Sequence, residues 1–320
     1  MKSFTIGKND ANQRFDKFIT KAVPSLPQSL MYKYLRTKRI KLNGRKAEIS
    51  TRIKEGDIVE MYINDEFFVK EESVYDFMRA SKDIDIVYED ENIVLLNKKV
   101  GLLCHPDDKE YVDTLIGRLK RYLFEKGEYN PDDESSFTPA LVNRIDRNTG
   151  GIVIAAKNAE SLRILNKKLK EREIEKYYLC VVHGYLNKKS DILKGYLIKN
   201  EDKNLVRIYN KKTENSKEIR TEYKVLSEKN NLSLVEVHLL TGRTHQIRAH
   251  FAFIGHPLLG DGKYGKNEQN KAYGYKKQFL YSYKLIFNFE TESGLLQYLN
   301  GKEFIIKNVW FKDEFEKGNL

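Results

Sequence analysis

Apolar residues recur along this chain with two different periods, and the changes between them divide it into parts. Near the N-terminus Phe15, Phe18, Ile19 and Ala22 fall at helical spacing, and Leu30, Met31, Tyr34 and Leu35 do so again after Pro24 and Pro27 interrupt the run. Two short helices are expected there. Ile40-Lys41-Leu42, the Asn43-Gly44 turn and the alternating Ile58-Val59-Glu60-Met61-Tyr62-Ile63 then read as short strands. Residues 65–80 turn acidic and polar, with Asp65, Glu66, Glu71, Glu72 and Asp76, as a tether does, so movement between the flanking parts is the default expectation. Beyond it, strand-like stretches fall at 84–88, 93–97, 152–156, 177–183, 221–226 and 233–240. Leu162, Leu165 and Leu169 mark one amphipathic helix, and Ile247, Phe251 and Ile254 mark another. Strands without regular βαβ alternation predict an α+β catalytic domain with a large, mainly antiparallel sheet, beside a small N-terminal α/β domain. The expected division is 1–64, a linker at 65–80, and 81–320, with 125–136 as the flexible loop because Asp132, Asp133 and Glu134 crowd it.

Charge sharpens the picture of the first part. The 320 residues carry 57 Lys and Arg against 46 Asp and Glu, a net charge of +11 that favours a polyanionic partner. The excess is segregated: no acid occurs between Lys17 and Ala47, while Lys33, Arg36, Lys38, Arg39, Lys41, Arg45 and Lys46 crowd the second half of that interval. A solvated helix face ordinarily mixes signs, so RNA phosphates explain the cluster better than solubility does. Lys33, Arg36, Arg39, Lys41 and Arg45 are the candidate RNA-binding residues. No apolar run approaches the length of a bilayer span and the N-terminus opens no signal peptide, so a cytoplasmic protein is expected. Cys104 and Cys180 stand in unrelated contexts and suggest packing, not a disulfide framework or a zinc site.

The chemistry concentrates in Asn143-Arg144-Ile145-Asp146-Arg147-Asn148-Thr149-Gly150-Gly151, a polar loop between apolar runs that sets one acid between two arginines. By itself the loop also reads as a plain turn in which Asp and Gly relieve strain. Three other segments decide between these readings. Residues 143–151 resemble the HRLD-x-x-TSG motif of pseudouridine synthases of the RluA type. Leu95-Leu96-Asn97-Lys98-Lys99-Val100-Gly101 resembles that family's N-K-P-x-G loop, Lys176-Tyr177-Tyr178 its K-x-Y segment, and Thr241-Gly242-Arg243-Thr244-His245-Gln246-Ile247-Arg248 its T-G-R-x-H-Q-I-R signature, with Gly255-His256-Pro257-Leu258-Leu259-Gly260-Asp261 following. The motifs occur in family order and the resemblance runs from about residue 84 to the end. The layout of the N-terminal part is similar to the small RNA-binding domain of a small-subunit ribosomal protein that many rRNA pseudouridine synthases carry.

The resemblance implies a cofactor-independent isomerase that turns uridine in RNA into pseudouridine, on large-subunit rRNA before tRNA. It assigns Asp146 as the catalytic carboxylate, acting as nucleophile or base in its ionised form, and Arg248 as the cation that favours that form. Tyr178 corresponds to the tyrosine whose ring packs on the target uracil, although a core role is its alternative; Tyr177, its strand neighbour, is expected to face the other way. Arg144 is expected either to fill the gap left by a flipped nucleotide or to bind phosphate. Arg243 is given a local or RNA-contacting role, and Lys98 and Lys176 brace the site or the RNA backbone. Four positions depart from the motifs, Asn143, Ile145, Gly150 and Lys99, and altered tuning is expected from them. A zinc hydrolase built on His238, His245, His250 and His256 is a poor rival, because His245 and His250 are five apart and miss the i, i+4 spacing of a shared helix face. No metal and no protein partner are called for. A non-catalytic RNA-binding or ribosome-assembly protein would need only the basic N-terminal part, and the set Asp146, Tyr178 and Arg248 argues against it.

Overall fold

The computed structural model describes residues 1–69, 75–265, 268, 270 and 274–320. Two sheets form among them. The small one has three strands in the order β1-β3-β2, with β1 at Lys2–Thr5, β2 at Ile40–Leu42 and β3 at Ile58–Met61. Helix α1, Phe15–Ala22, buries Phe15, Phe18 and Ile19 against it, and α2, Gln28–Arg36, buries Met31 and Leu35. These residues, with Ile6, Val23, Ile40, Ile53, Val59 and Ile63, make a core drawn wholly from the first part of the chain. Asn43 and Gly44 both have positive φ, 50° and 73°, and Leu42 and Arg45 exchange backbone hydrogen bonds across them, the closure of a primed turn.

The large sheet has eleven strands. Its main path runs β10-β9-β11-β12-β8-β13-β7-β5-β4, where β4 is Ile86–Glu89, β5 Ile93–Lys98, β7 Gly150–Ala156, β8 Ile174–His183, β9 Ser190–Asn200, β10 Leu205–Tyr209, β11 Lys217–Lys229, β12 Leu232–His238 and β13 Leu280–Phe287. The short β6, Ala140–Leu141, flanks β7, and β14, Glu303–Ile305, flanks β13. Every pairing is antiparallel except that of β13 with β7. The expected α+β class with a mainly antiparallel sheet is therefore the class observed.

Helices cover both faces of the sheet. Helix α3, Leu115–Glu125, packs on Val94, Leu96, Val153 and Ala155, whereas α4, Ala159–Glu171, packs on the alternate residues Ile93, Leu95, Ile152 and Ile154. Side chains cap the starts of both: Thr114 Oγ1 accepts from Gly117 N at 3.2 Å, and Asn158 Oδ1 from Ser161 N at 2.8 Å. Helix α5, Gln246–Phe253, lies on Tyr178, Cys180, Val182, Val235 and Val237, and the opposite face of β8 is covered by Phe279, Phe311 and Phe315. No described helix is long and apolar enough to cross a membrane.

One expectation changes. The loop at 125–136, expected to be free, is a docking surface: Asn9 Nδ2 donates to Glu134 at 2.7 Å, Ser136 Oγ donates to Asp10 at 2.5 Å, Gln13 Nε2 donates to Ser136 at 2.7 Å and Tyr75 donates to Asp132 at 2.6 Å. Its polar groups find partners on the N-terminal part and at Tyr75, which a local reading of charge cannot foresee. Of the expected linker, Asp65–Phe68 and Asp76–Arg79 form single helical turns, while 70–74, with Glu71 and Glu72, lie outside the described residues.

The parallel contact of β7 with β13 leaves no room for a side chain at Gly151. Gly151 has a φ of 110°, and a Cβ placed there would lie 2.0 Å from the Ser282 carbonyl oxygen. Gly151→Ala is expected to cost at least about 2 kcal/mol of stability and to lower the thermal midpoint, measured by calorimetry, because both the backbone angle and the close approach exclude a side chain.

Candidate active site

The polar loop at 143–151 is braced on every side. Asn143 Oδ1 accepts from Ile154 N at 2.8 Å, so the asparagine standing at the motif histidine ties the loop back onto β7. Lys98 is fully buried and donates to the carbonyls of Lys99, Leu102 and Arg147 at 3.1, 2.7 and 2.9 Å. Burial pushes its ammonium down to about 8, and the three carbonyls are what make a lysine tolerable there. Gly101 N also reaches Arg147 O at 2.8 Å, and Cys104 Sγ lies 3.5 Å from Ile145 O. Ile145 packs at the boundary of the α3 and α5 clusters. The result is a rigid turn, closed by Thr149 N on Asp146 O at 3.0 Å, that presents the partly exposed carboxylate of Asp146.

Arg248 comes to meet it from α5. The start of that helix is fixed by Gln246, whose Oε1 accepts from Thr241 Oγ1 and Arg243 N at 2.9 and 3.1 Å and whose Nε2 donates to Thr221 Oγ1 at 3.0 Å. Arg248 Nη1 donates to Asp146 Oδ2 at 2.8 Å. Its other edge is held by Asp261, with Nε to Oδ2 at 2.7 Å and Nη2 to Oδ1 at 2.9 Å. Asp261 is fully buried and also accepts from the backbone of Lys263 and Tyr264. Burial would raise its carboxyl, but the hydrogen bonds and charge of Arg248 outweigh that and hold it below the ordinary 3.8. The Tyr264 ring lies 5.3 Å from the guanidinium carbon. One buried guanidinium thus bridges two carboxylates.

Tyr178 is almost fully buried, and its hydroxyl bonds to Ser282, its register partner on β13. Burial, with the nearby charge of Asp146 adding to it, pushes the phenol up to about 12. Tyr177 faces elsewhere, stacked on His238 at 4.3 Å and donating to Glu175 at 2.8 Å. Arg144 and Arg243 are exposed. Lys33, Arg36, Arg39 and Arg45 are exposed and Lys41 half-buried on α2, β2 and the turn after it; Arg39 lies over Tyr34 and Lys41 over Tyr62. The structure therefore brings Asp146, Arg248 and Tyr178 together and leaves the N-terminal cations as a separate surface. The four histidines of the zinc alternative are dispersed, with His238 on Glu222, His245 on Tyr264, His250 on Thr221 and His256 on the His183 carbonyl. Among the described residues no three metal-binding side chains converge.

The motif departures are absorbed locally. A Cβ at Gly150 would come within 2.5 Å of the Tyr281 ring, so the glycine and that tyrosine fit one another, and Lys99 pairs with Asp83 at 2.6 Å. Asp261, His245 and Tyr264 went unassigned as site residues in the sequence. The only available signal for Asp261 was its place at the end of the Gly255–Asp261 segment.

Residues 92–253 match the RNA pseudouridylate synthase family. A relative from Mycoplasma genitalium, named as an uncharacterized RNA pseudouridine synthase, is 34% identical over 295 residues, 89% of this chain and 88% of its own. The ribosomal large subunit pseudouridine synthase C of Vibrio cholerae is 28% identical over 289 residues, covering 88% and 87%. In fold, the chain is similar to human RNA pseudouridylate synthase domain containing 1, with a TM-score of 0.53 at 20% identity over 78% of this chain and 96% of that one. The chain belongs to the RNA pseudouridylate synthase family and is an RNA pseudouridine synthase.

Arg248→Met leaves the Asp261 charge buried and unpaired, so a loss of about 3–5 kcal/mol in denaturant unfolding is expected. Arg248→Lys does not restore the bridge, because an ammonium cannot form the two-edged contact. Since Asp261 is held below 3.8 in the folded state, its contribution is present above that pH and is lost as pH falls further. An unfolding series below pH 4 should show Asp261→Asn losing less stability with acid than the parent, a comparison made by the slope of stability against pH.

Proposed function

We propose that this enzyme isomerises uridines of large-subunit rRNA, with Asp146 as the reacting carboxylate on a nucleotide flipped out of its helix or loop. The bond from ribose C1′ to uracil N1 breaks, the base turns, C1′ joins C5, and the proton on C5 is exchanged for one on N1. The change is redox-neutral. Asp146 Oδ1 serves as nucleophile or base, Arg248 holds the carboxylate in place, Tyr178 backs the site, and Arg144 takes the space the nucleotide leaves or grips its phosphate. The observation carrying this reading is the Asp146–Arg248–Asp261 chain, which fixes one oxygen of an accessible carboxylate and leaves Oδ1 without a partner among the described residues. The ribosomal target is supported by the name of the Vibrio cholerae relative.

Residues 1–64 serve in this reading as the RNA-binding domain, with 65–80 joining them to the catalytic part. Support comes from their separate core and from the Lys33, Arg36, Arg39, Lys41 and Arg45 surface, whose cations have no carboxylate partner among the described residues.

Asp146→Asn keeps shape and removes charge. With RNA from cells lacking the gene as substrate, it is expected to bind RNA as tightly as the parent and to form no pseudouridine by mass spectrometry. Turnover in that variant, after deamidation is excluded, removes Asp146 from the mechanism; activity on transfer RNA but not ribosomal RNA overturns the target.

Arg36→Glu/Arg39→Glu/Lys41→Glu in the full chain should weaken RNA binding and flatten its salt dependence. The magnitude of the log–log slope drops by roughly 0.7 to 0.9 for each phosphate that the protein ceases to neutralise. An unchanged slope would make the cluster a solvated face.

A further inference from the structure

Two groups converge on a single oxygen of Asp146. Arg248 donates to Oδ2 at 2.8 Å, and His245 Nε2 faces the same oxygen at 3.9 Å. His245 is the cap residue of α5 and has a φ of 53°, a left-handed angle that a non-glycine side chain keeps only when its surroundings hold it. Tyr264 is part of what holds it. The two rings meet edge to face with centroids 5.6 Å apart, and the Tyr264 hydroxyl lies 2.8 Å from His245 Nδ1.

The same hydroxyl is the partner of the imidazole Nδ1. With its oxygen accepting from Val206 N at 3.0 Å, the phenol proton is free to be given to Nδ1. The ring proton then sits on Nε2, turned toward Asp146. The groups acting on the ring are Asp146 from the loop, Arg248 from α5, and Asp261, Lys263 and Tyr264 from the segment after it. Burial lowers its pKa first, Arg248 and Lys263 lower it further, and the two aspartates offset them only in part, so the net shift is below the ordinary 6.5. The imidazole is therefore neutral near pH 7.

We propose that His245, its tautomer set by Tyr264, is a positioning residue that shares Oδ2 of Asp146 with Arg248 and leaves Oδ1 as the oxygen presented to the nucleotide. The contact at 3.9 Å is longer than a hydrogen bond, and a carboxylate movement of roughly 1 Å closes it. Catalytic hydrogen bonds commonly tighten in this way when substrate is in place. Two donors from different directions fix both the position and the plane of the carboxylate, whereas Arg248 alone leaves it free to rotate about a single bond. Protonation of His245 in acid replaces that neutral donor by a cation that draws the carboxylate into a full ion pair, so part of the acid loss of rate belongs to this ring. The role rests on Asp146 being the reacting carboxylate.

The test measures single-turnover pseudouridine formation by the full-length protein on RNA from cells lacking the gene, with RNA affinity and thermal midpoint followed in parallel. His245→Leu is expected to slow the step by roughly 10- to 100-fold while affinity stays within about two-fold, the signature of a misplaced reacting group. His245→Gln supplies an N–H that does not titrate, so it should recover most of the rate and lose the His245 component of the acid limb. Tyr264→Phe should slow the step less, and adding it to His245→Leu should cost nothing more, because both act through one contact. Turnover in Asp146→Asn would overturn the reading beneath the proposal. If Asp146→Asn is inactive but His245→Leu keeps the parent rate, the positioning role alone is wrong. A loss in His245→Leu that Gln fails to recover and that tracks a fallen thermal midpoint would also overturn it, making His245 only the cap of α5.

Discussion

The guanidinium of Arg248 is the point on which the candidate active site of this molecule depends. It is buried, and a buried cation is tolerable only when its donors are matched by acceptors in good geometry. Asp261 supplies a two-edged match and Asp146 takes a remaining donor. Three separate stretches of chain, the 143–151 loop, α5 and the turn at 261, are thereby joined through one planar group. A lysine could satisfy either acid but not both with fixed angles, which is the physical reason for an arginine here. Asp261 is the costlier partner to lose, because it is fully buried while Asp146 keeps contact with solvent.

The sheet serves this arrangement by bringing distant strands side by side. The β7 strand enters it straight from the Asp146 loop, β8 carries Tyr178, and β13 lies between the two with Ser282 against both. Space at that junction is so limited that Gly151 cannot carry a side chain and Gly150 leaves room only for the Tyr281 ring. Lys98, from the end of β5, finishes the support by satisfying three carbonyls beneath the loop. The N-terminal part docks away from this junction, on the 125–136 loop and on α4, through Asn9, Asp10, Gln13 and the Ala11 carbonyl. Its basic surface is thus carried by a separate core and joined to the rest of the chain by polar contacts.

Much was legible in the sequence where local pattern and local structure coincide. Helices α1, α2 and α4 follow from apolar spacing, because each buries one stripe on a neighbouring surface, whereas α5 shows the spacing but is enclosed all round, with Gln246 to Phe251 buried without a break. The strands at β5, β7, β8 and β12 follow from runs of apolar residues buried on both faces. Strand β9 was not legible: its first half alternates between exposed and half-covered residues, only Gly195 and Leu197 are buried, and it is a strand because β10 and β11 supply its hydrogen bonds. In β13, Tyr281, Ser282, Tyr283 and Lys284 break the apolar pattern, and their polar groups are satisfied only by partners on other strands.

The site divides in the same way. The sequence by itself determined which residue types are present in which order, and the family motifs they form mark Asp146, Tyr178 and Arg248 because those motifs are contiguous. Only the tertiary structure decided that Asp261 takes two edges of the guanidinium, that His245 and Arg248 face one oxygen of Asp146, and that Tyr264 orients the imidazole. These are directions and distances between side chains 13 to 102 positions apart. Sequence spacing fixes such relations only within a helix or a strand, where the backbone repeats; between elements they are set by how the sheet and α5 pack.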